Sequence, residues 1–130
     1  THPDLMVFPL FVWAVPNCAG ELLTEKELEL GIHAGDAETS LMLSILPDQV
    51  RQEQARAEFP QNLPTDSWLS MEGALPFAWV TRDLSASGVL GDPTVATKAK
   101  GDQILESLVT GWTTVFEDIY RFRQPQTREG

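Results

Sequence analysis

Apolar residues recur every three or four positions in two segments of the chain, and this spacing predicts two helices. The longer one starts near Thr97 and runs for about seven turns. Its apolar side consists of Ile104, Leu105, Leu108, Val109, Trp112, Val115, Phe116, Ile119 and Phe122. Its solvent side is expected to carry Lys98, Glu106, Glu117 and Asp118. The shorter helix covers residues 37–46, where apolar residues extend most of the way round the axis, so we expect burial on several sides.

Two further segments are rich in β-branched and aromatic residues, as is typical of strands. Residues 5–15 read LMVFPLFVWAV without polar alternation, which favours a strand covered on both faces of an α/β sheet. Pro9 within it suits an edge or a bulge, because proline lacks a backbone donor. Residues 77–81, FAWVT, are the second predicted strand. Strands that alternate with helices predict the α/β fold class.

The segments between these elements carry residues typical of turns and caps. Thr24 precedes Glu27 by three positions, which is the spacing of a capping box at a helix start. Gly88 and Gly91 lie in a turn-rich segment and permit backbone angles that other residues avoid. Asp92 and the proline after it suit a tight turn.

The length of 130 residues predicts one domain or a portion of one. We take residues 1–130 as a single domain portion, with a frayed tail over residues 124–130. Residues 51–73 hold two prolines and little periodicity, which predicts a long excursion over the surface. The chain starts at Thr1 and enters an apolar stretch almost at once, from which we expect a preceding portion.

The chain is strongly acidic, with 19 acidic and 9 basic residues and a formal net charge of -10. A field of this sign repels nucleic acid and anionic lipid, so we expect neither as a partner. Cys18 is the only cysteine, which excludes an intrachain disulfide and a cysteine-rich zinc site and suits a reducing compartment. No apolar run reaches the roughly 20 residues of a membrane helix, and we predict a cytoplasmic protein.

Motifs of several common catalytic sites are missing from the sequence. It has no Gly-x-Ser-x-Gly turn for a serine nucleophile, and SGVLGDPT lacks the lysine and the spacing of a phosphate-binding loop. Of the two histidines, we expect only His33 to be available as a metal ligand, because His2 lies near a terminus. We therefore expect no complete metal site from this chain alone.

His33 stands directly before the shorter helix, in the stretch IHAGDAETSLML. Asp36 is predicted to cap this helix, and Gly35 to form the turn that leaves the imidazole facing outward. A histidine there can exchange protons near neutral pH, and Glu38 in the first turn could orient its ring. If His33 and Glu38 were both on one helix, their five-residue separation would instead point them apart. On spacing alone, an ordinary loop residue before a buried helix is the favoured interpretation of His33.

Two blocks resemble signatures of the creatininase family of metal-dependent amidohydrolases. HAGDAETSLMLSILPDQVR, residues 33–51, resembles the family's His-Ala-Gly-x-x-Glu-Thr-Ser-x-Met-Leu block with its Pro-Asp-x-Val-Arg continuation. SGVLGDPTVATKAKG, residues 87–101, resembles the family's Gly-x-x-Gly-Asp-Pro-x-x-Ala-Thr block, which is followed by Lys-Gly. The blocks occur in the family's order, and the resemblance spans nearly the whole chain.

The resemblance implies part of a three-layer α/β/α domain with a mostly parallel sheet and a long C-terminal helix. It also implies hydrolysis of a cyclic or linear amide by a centre of zinc or manganese ions that activates water. His33 matches the family's substrate-contacting proton-transfer histidine, and Glu38 matches the acid that supports it. The family's metal ligands lie in Glu-x-His and His-x-Glu segments and an aspartate, in a front portion that this sequence does not contain. We expect a missing N-terminal portion or a separate chain to supply these ligands.

These observations leave two hypotheses for the function. The first is a creatininase-like amidohydrolase that acts on a small amide substrate as a homo-oligomer, with this chain as its C-terminal portion and inactive alone. Creatininase itself holds its substrate with a tryptophan and an aspartate shortly before the motif histidine, whereas Glu29 and Leu30 stand at those places here, which favours another amide over creatinine. The alternative is a catalytically inactive structural or oligomerisation module derived from that family.

Overall fold

A computed structural model describes residues 5–61, 63 and 67–122 of the chain. The α-helices of this part are α1 (Ala19–Leu22), α2 (Glu25–Leu30), α3 (Asp36–Ile45), α4 (Thr81–Leu84) and α5 (Lys98–Arg121). Its 3-10 helices are Val12–Ala14, Pro47–Gln49, Gln52–Gln54 and Pro93–Val95. The predicted frayed tail over residues 124–130 lies outside the described residues, and so does His2.

Helix α5 confirms the clearest prediction from the sequence. It spans 24 residues and begins after Thr97, whose hydroxyl accepts a hydrogen bond from the Lys100 amide at 3.2 Å. Ile104 and Leu108 are buried on its apolar side, where they belong to the same core cluster as Val15. The four charged residues expected on the opposite side are exposed. None of the described helices, α5 included, is long and apolar enough to cross a membrane.

Helix α3 starts one residue earlier than predicted and packs against α5. The two backbones approach closely at Gly101, where an added Cβ would stand 1.9 Å from the carbonyl oxygen of Ser40. The prediction that α3 is buried on several sides is wrong, because Met42, Ile45 and Leu46 are 40%, 53% and 51% exposed. The fully buried residues of α3, Asp36 and Ser40, are polar, and Ala37 and Leu41 pack on the core cluster. Met42 and Ile45 face outward.

Residues 5–15 do not form the predicted strand. They make an irregular arm along α5, and the arm ends in the 3-10 turn Val12–Ala14. The Trp112 indole donates to the Val12 carbonyl at 3.1 Å, and the rings of Phe8 and Phe122 meet edge to face at 5.5 Å. A strand needs a neighbour to satisfy its backbone donors and acceptors, and no described segment pairs with this one. Val15 and Trp13 pack with Ile104 and Leu108 of α5 instead, whereas most of the other apolar residues of the arm are exposed.

The predicted strand at residues 77–81 is also wrong, because no ladder forms there and Thr81 already begins α4. In place of a ladder, the described residues contain three isolated bridges: His33 with Leu90 and Glu58 with Gly91, both antiparallel, and Ser70 with Pro76, parallel. The mostly parallel sheet therefore stays a prediction. The two antiparallel bridges both reach the loop before α5, and one of them holds His33.

The loop before α5 has the geometry that its glycines predict. Gly88 and Gly91 have φ angles of 91° and 153°, in the region that favours glycine. The Asp92 side chain then caps the 3-10 helix that follows by accepting from the Thr94 amide at 3.0 Å. The described part of residues 51–73 is largely exposed, as expected for an excursion over the surface.

Candidate active site

His33 lies in the loop between α2 and α3, and its backbone is paired with the loop before α5. Its amide donates to the Leu90 carbonyl at 3.1 Å, and its carbonyl accepts from the Leu90 amide at 2.8 Å. Leu90 is 1% exposed, whereas the His33 side chain is 64% exposed. The backbone of His33 is thus fixed to the protein interior, while its ring is open to a ligand.

Glu38 lies in the first turn of α3, as predicted. Its Oε2 accepts a hydrogen bond from the Ala34 amide and stands 3.7 Å from Nδ1 of His33. His33 precedes the helix instead of belonging to it, so the five-residue separation brings the two side chains together. The separation of 3.7 Å is an ion-pair distance rather than that of a hydrogen bond.

The turn after His33 consists of Ala34 and Gly35. Ala34 has a φ angle of 54°, which is uncommon for a residue with a side chain and tends to occur at functional sites. Gly35 lies in the same bend with an ordinary φ angle of -85°, so the left-handed backbone of the turn belongs to Ala34. Glycine is needed at position 35 for lack of space, since an added Cβ would lie 1.9 Å from Oε1 of Glu27.

Asp36 does not cap α3, contrary to the prediction. It is the first residue of the helix and is 1% exposed. One of its carboxylate oxygens accepts from the Ser40 hydroxyl at 3.0 Å, and the other forms an ion pair with Lys100 of α5. Ser40 in turn accepts from the Thr97 amide at 3.1 Å. Asp36 joins α3 to the start of α5, because a charged partner across the interface holds its side chain away from the first turn.

Glu27 is an interior acid whose place beside the site was missed from the sequence. Thr24 caps α2 by accepting from the Glu27 amide at 3.2 Å, but the Glu27 side chain makes no return bond, so only half of the predicted capping box forms. Glu27 is 6% exposed, and its carboxylate accepts from the amides of Asp36 at 2.7 Å and Asp92 at 2.8 Å. A helix acid near several glycines was its signal in the sequence, and that signal is weak.

His33 and Glu38 line a cleft of about 630 Å³, bordered by the N-terminal arm, α1, α2 and the start of α3. Its apolar lining includes Trp13, Leu23 and Ile32. A small ligand in such a cleft would be held by apolar contacts and would meet an imidazole beside a carboxylate. That pair of groups is suited to proton transfer to or from the ligand.

The described residues do not fit the metal centre that the resemblance implies. Nowhere among residues 5–61, 63 and 67–122 do three histidine, cysteine, aspartate or glutamate side chains come together in a group that could hold a metal ion. His33 and Glu38 offer two donors without a third. A zinc or manganese centre would therefore need ligands from outside the described part of the chain.

Glu58 supports the loop that holds His33. Its backbone pairs with Gly91, and its carboxylate accepts from the Ala86 amide at 2.6 Å, from the Ser87 amide at 3.0 Å and from the Ser87 hydroxyl. The Ser87 hydroxyl, followed by the two amides, lowers the pKa of Glu58 from 4.5 to about 2. The carboxylate is ionised at neutral pH, and the loop folds around this charge.

Comparison with known sequences gives two matches that agree with each other. A family model described as creatininase, creatinine amidohydrolase, matches residues 1–116. A mycofactocin precursor peptide peptidase from Mycobacterium tuberculosis is 39% identical over 77 residues, which cover 59% of this chain and 28% of that protein. The chain thus spans less than a third of the length of the curated relatives that it matches.

Solved structures with the same family names resemble the fold. A putative creatinine amidohydrolase from Bacteroides fragilis NCTC 9343 superposes with a TM-score of 0.73 at 19% identity, over 96% of this chain and 47% of that chain. A structure named creatininase Mn gives a TM-score of 0.51 at 28% identity, over 68% of this chain and 31% of that chain. A creatininase mutant described as Zn-Zn type gives the same values. These likenesses support an α/β fold.

Proposed function

This chain belongs to the creatininase family, and we propose that it forms one side of the active site of an amidohydrolase that cleaves a C–N amide bond, cyclic or linear. In this proposal His33 contacts the substrate and passes a proton to the leaving nitrogen, while Glu38 supports the imidazole ring. The observation that carries the proposal is the convergence of the two side chains, 3.7 Å apart, on the cleft of about 630 Å³.

Amide cleavage needs a proton at the nitrogen, because an amine leaves far more readily than an amide anion. His33 can supply this proton through Nε2 while Nδ1 faces Glu38. The Glu38 carboxylate is itself held by the Ala34 amide, so it gives Nδ1 a fixed negative partner and limits the rotation of the ring. A backbone pinned to Leu90 and a ring oriented by Glu38 provide the narrow geometry that proton transfer requires.

Zinc and manganese are supported as cofactors by the names of the two creatininase structures. The described residues of this chain do not assemble a site for such ions. We propose that a preceding portion of the protein or a separate chain holds them, and we assign them no step in the chemistry of His33 and Glu38.

An amide other than creatinine is the proposed substrate. Glu29 and Leu30 stand where creatininase carries the tryptophan and aspartate that hold creatinine. Both residues line a smaller pocket of about 250 Å³ that shares Leu28, Gly31 and Ile32 with the cleft at His33. The Mycobacterium tuberculosis relative is named a peptide peptidase, which supports a linear peptide amide as the first class to test.

The test is amide hydrolysis by the intact, metal-supplemented protein, assayed with short peptides, a cyclic amide and creatinine. His33→Gln should lower kcat/KM by about 10²- to 10⁴-fold, since it removes the general acid and retains the approximate shape of the ring. Glu38→Gln should cause a smaller loss, because the ring remains present but less well oriented. Glu106→Gln changes an exposed carboxylate on α5 and is the matched control. A His33→Gln variant as active as wild type would contradict the proposal.

A catalytically inactive structural or oligomerisation module is the second candidate. It is favoured by the outward-facing Met42, Ile45 and Phe116, since exposed apolar residues of this size are typical of surfaces that pair with another chain. In that case the intact protein forms a homo-oligomer and shows no amide hydrolysis at any metal concentration. Activity that His33→Gln abolishes would exclude this candidate.

A further inference from the structure

We infer that Glu27 is a positioning residue for His33 and Glu38. Its buried carboxylate connects the three segments that build the candidate site, which are α2, the start of α3 and the loop before α5. The catalytic consequence of this inference rests on the proposed function. Its structural part concerns the distance between two side chains and can be tested without any substrate.

Each oxygen of the Glu27 carboxylate accepts one backbone hydrogen bond. Oε1 accepts from the Asp36 amide at 2.7 Å, and Oε2 accepts from the Asp92 amide at 2.8 Å. Asp36 begins the helix turn that carries Glu38, and Asp92 follows Leu90 by two residues in the opposite loop. A side chain with two acceptor oxygens is needed to serve both amides, because glutamine would present an NH₂ group to one of them.

The backbone around this carboxylate leaves just enough room for it. An added Cβ would lie 2.9 Å from Oε1 of Glu27 at Gly31, 1.9 Å at Gly35 and 2.7 Å at Gly91. The Cβ at Gly91 would also stand 2.6 Å from the Cα of Gly35, so the two loops touch through their backbones. A buried carboxylate is unfavourable unless it is well hydrogen-bonded. The hydrogen bonds from the two amides offset the cost of burying the Glu27 carboxylate. The three glycines leave room for the backbone to come close enough to donate them.

Glu27 couples two groups that are otherwise held by different parts of the chain. His33 is held through its backbone by Leu90, in the loop before α5. Glu38 is carried by the first turn of α3. The Glu27 carboxylate binds the loop through Asp92 and the helix through its first amide, so it fixes the distance between the two segments. Without that bridge, the loop and the helix could move relative to each other. The separation of 3.7 Å between the imidazole and the Glu38 carboxylate would then no longer be fixed.

Hydrogen exchange of the intact protein, read at single-residue level by mass spectrometry, tests the structural part. In wild type the amides of Asp36 and Asp92 should exchange as slowly as those in the middle of α5. Glu27→Gln should speed exchange of the Ala34 amide, which donates to Glu38, by about three- to tenfold, the factor that corresponds to one hydrogen bond. The α5 amides should keep their protection, and Glu106→Gln should change none of these rates. Fast exchange of Asp36 and Asp92 in wild type would overturn the inference, as would an unchanged Ala34 rate in Glu27→Gln.

A pair of double-variant experiments tests whether the carboxylate is what requires glycine at position 35. Gly35→Ala should destabilise the wild type and be clearly less destabilising in the Glu27→Ala background, because alanine can adopt the φ angle of -85° and the oxygen at 1.9 Å is gone, while the Gly91 Cα at 3.2 Å is present in both backgrounds. Gly101→Ala is the control, since its Cβ would meet the Ser40 carbonyl oxygen at 1.9 Å in either background and none of its three nearest atoms belongs to Glu27. If Gly35→Ala does not fold, recovery of folded protein in the double variant is the expected result. Additive effects of Gly35→Ala and Glu27→Ala would contradict the inference.

Steady-state kinetics tests the catalytic part in the metal-supplemented protein. Glu27→Gln should lower kcat per folded molecule by about 100-fold, the loss expected when catalytic groups shift by about 1 Å, with little change in KM. A purely structural role would reduce the fraction of folded enzyme and leave kcat per folded molecule unchanged, and that result would overturn the positioning role. If wild type hydrolyses no amide while the Ala34 result holds, the proposed function fails and the structural part of the inference stands.

Discussion

Gly101→Ala should destabilise the protein, although the same change within an exposed helix stabilises by about 1 kcal/mol. The new Cβ would lie 1.9 Å from the carbonyl oxygen of Ser40 and 2.5 Å from its carbonyl carbon. Ordinary van der Waals contact starts at 3.4 Å. Relief therefore requires α5 and α3 to move apart at this point, and neither obstructing atom belongs to a side chain that could rotate away.

The magnitude follows from what the two helices share. Overpacking of this kind costs roughly 1–3 kcal/mol. Moving α3 away from α5 also weakens the Thr97 amide bond to Ser40, which contributes about 1 kcal/mol. After subtraction of the gain in helix propensity, about 1 kcal/mol, the net loss is about 2 kcal/mol. With a urea m-value of about 1–3 kcal/mol/M, the unfolding midpoint should fall by about 1 M.

Urea unfolding followed by circular dichroism measures this loss, and Gly20→Ala provides the control. Gly20 lies in α1, and an added Cβ there would meet no atom within 4 Å. Gly20→Ala should therefore raise the stability by about 0.5–1 kcal/mol. If Gly101→Ala were as stable as wild type, or shifted in the same direction as Gly20→Ala, the close approach of α3 and α5 would not determine the packing.

Three further perturbations act on the polar contacts around the site. Lys100→Met leaves the buried Asp36 carboxylate without its ion-pair partner and should lower the free energy of unfolding in urea by about 3 kcal/mol. This loss is near the low end of the usual range, because the Lys100 side chain is 20% exposed. Adding Asp36→Asn should recover part of it. The lowered pKa of Glu58 means that its ionised form stabilises the folded state fully above about pH 4.5 and that this contribution is lost as the pH falls towards about 2. The urea midpoint should therefore fall between these pH values, and Ser87→Ala should make the decline shallower, because it removes the largest cause of the pKa shift; equal slopes would contradict this account. Thr97→Ala removes the side-chain cap of α5 and should lower the unfolding free energy by about 1 kcal/mol, whereas Thr97→Ser should retain it.

Features that depend on near neighbours in the chain could be predicted from the sequence. Helix α5 and its start after Thr97 follow from periodicity and the preference for a hydroxyl at the cap. The left-handed backbone at Gly88 and Gly91 follows from the freedom of glycine. The position of Glu38 in a first helical turn is equally local. In each case the residues that decide the conformation lie within one or two turns of one another.

Features that depend on distant partners could not be predicted. Residues 5–15 have the composition of a strand, but the described residues offer them a helix to pack on and no strand to pair with. The side chain of Asp36 meets Lys100, which is 64 positions away, and that partner removes it from the cap. The environment of Glu27 likewise consists of amides and glycines from two other segments. A single sequence contains no signal for such pairings beyond the residue types.

Glu27 links the two sequence blocks, because its carboxylate accepts from the amide of Asp36 in the first block and of Asp92 in the second. Within the block that contains His33, Glu38 holds the Ala34 amide, but the backbone of His33 itself is held from outside the block. The backbone of His33 is paired with Leu90, and the Asp92 amide donates to Glu27. Leu90 and Asp92 both belong to the second block. The second block in turn needs the Glu27 carboxylate, since the part-buried Asp92 amide would otherwise lose its acceptor. The φ angle of Gly91, 153°, and its contact with Gly35 exclude a side chain at this position. Gly91→Ala, a change in the second block, should therefore displace the backbone of His33 as strongly as a substitution within the first block.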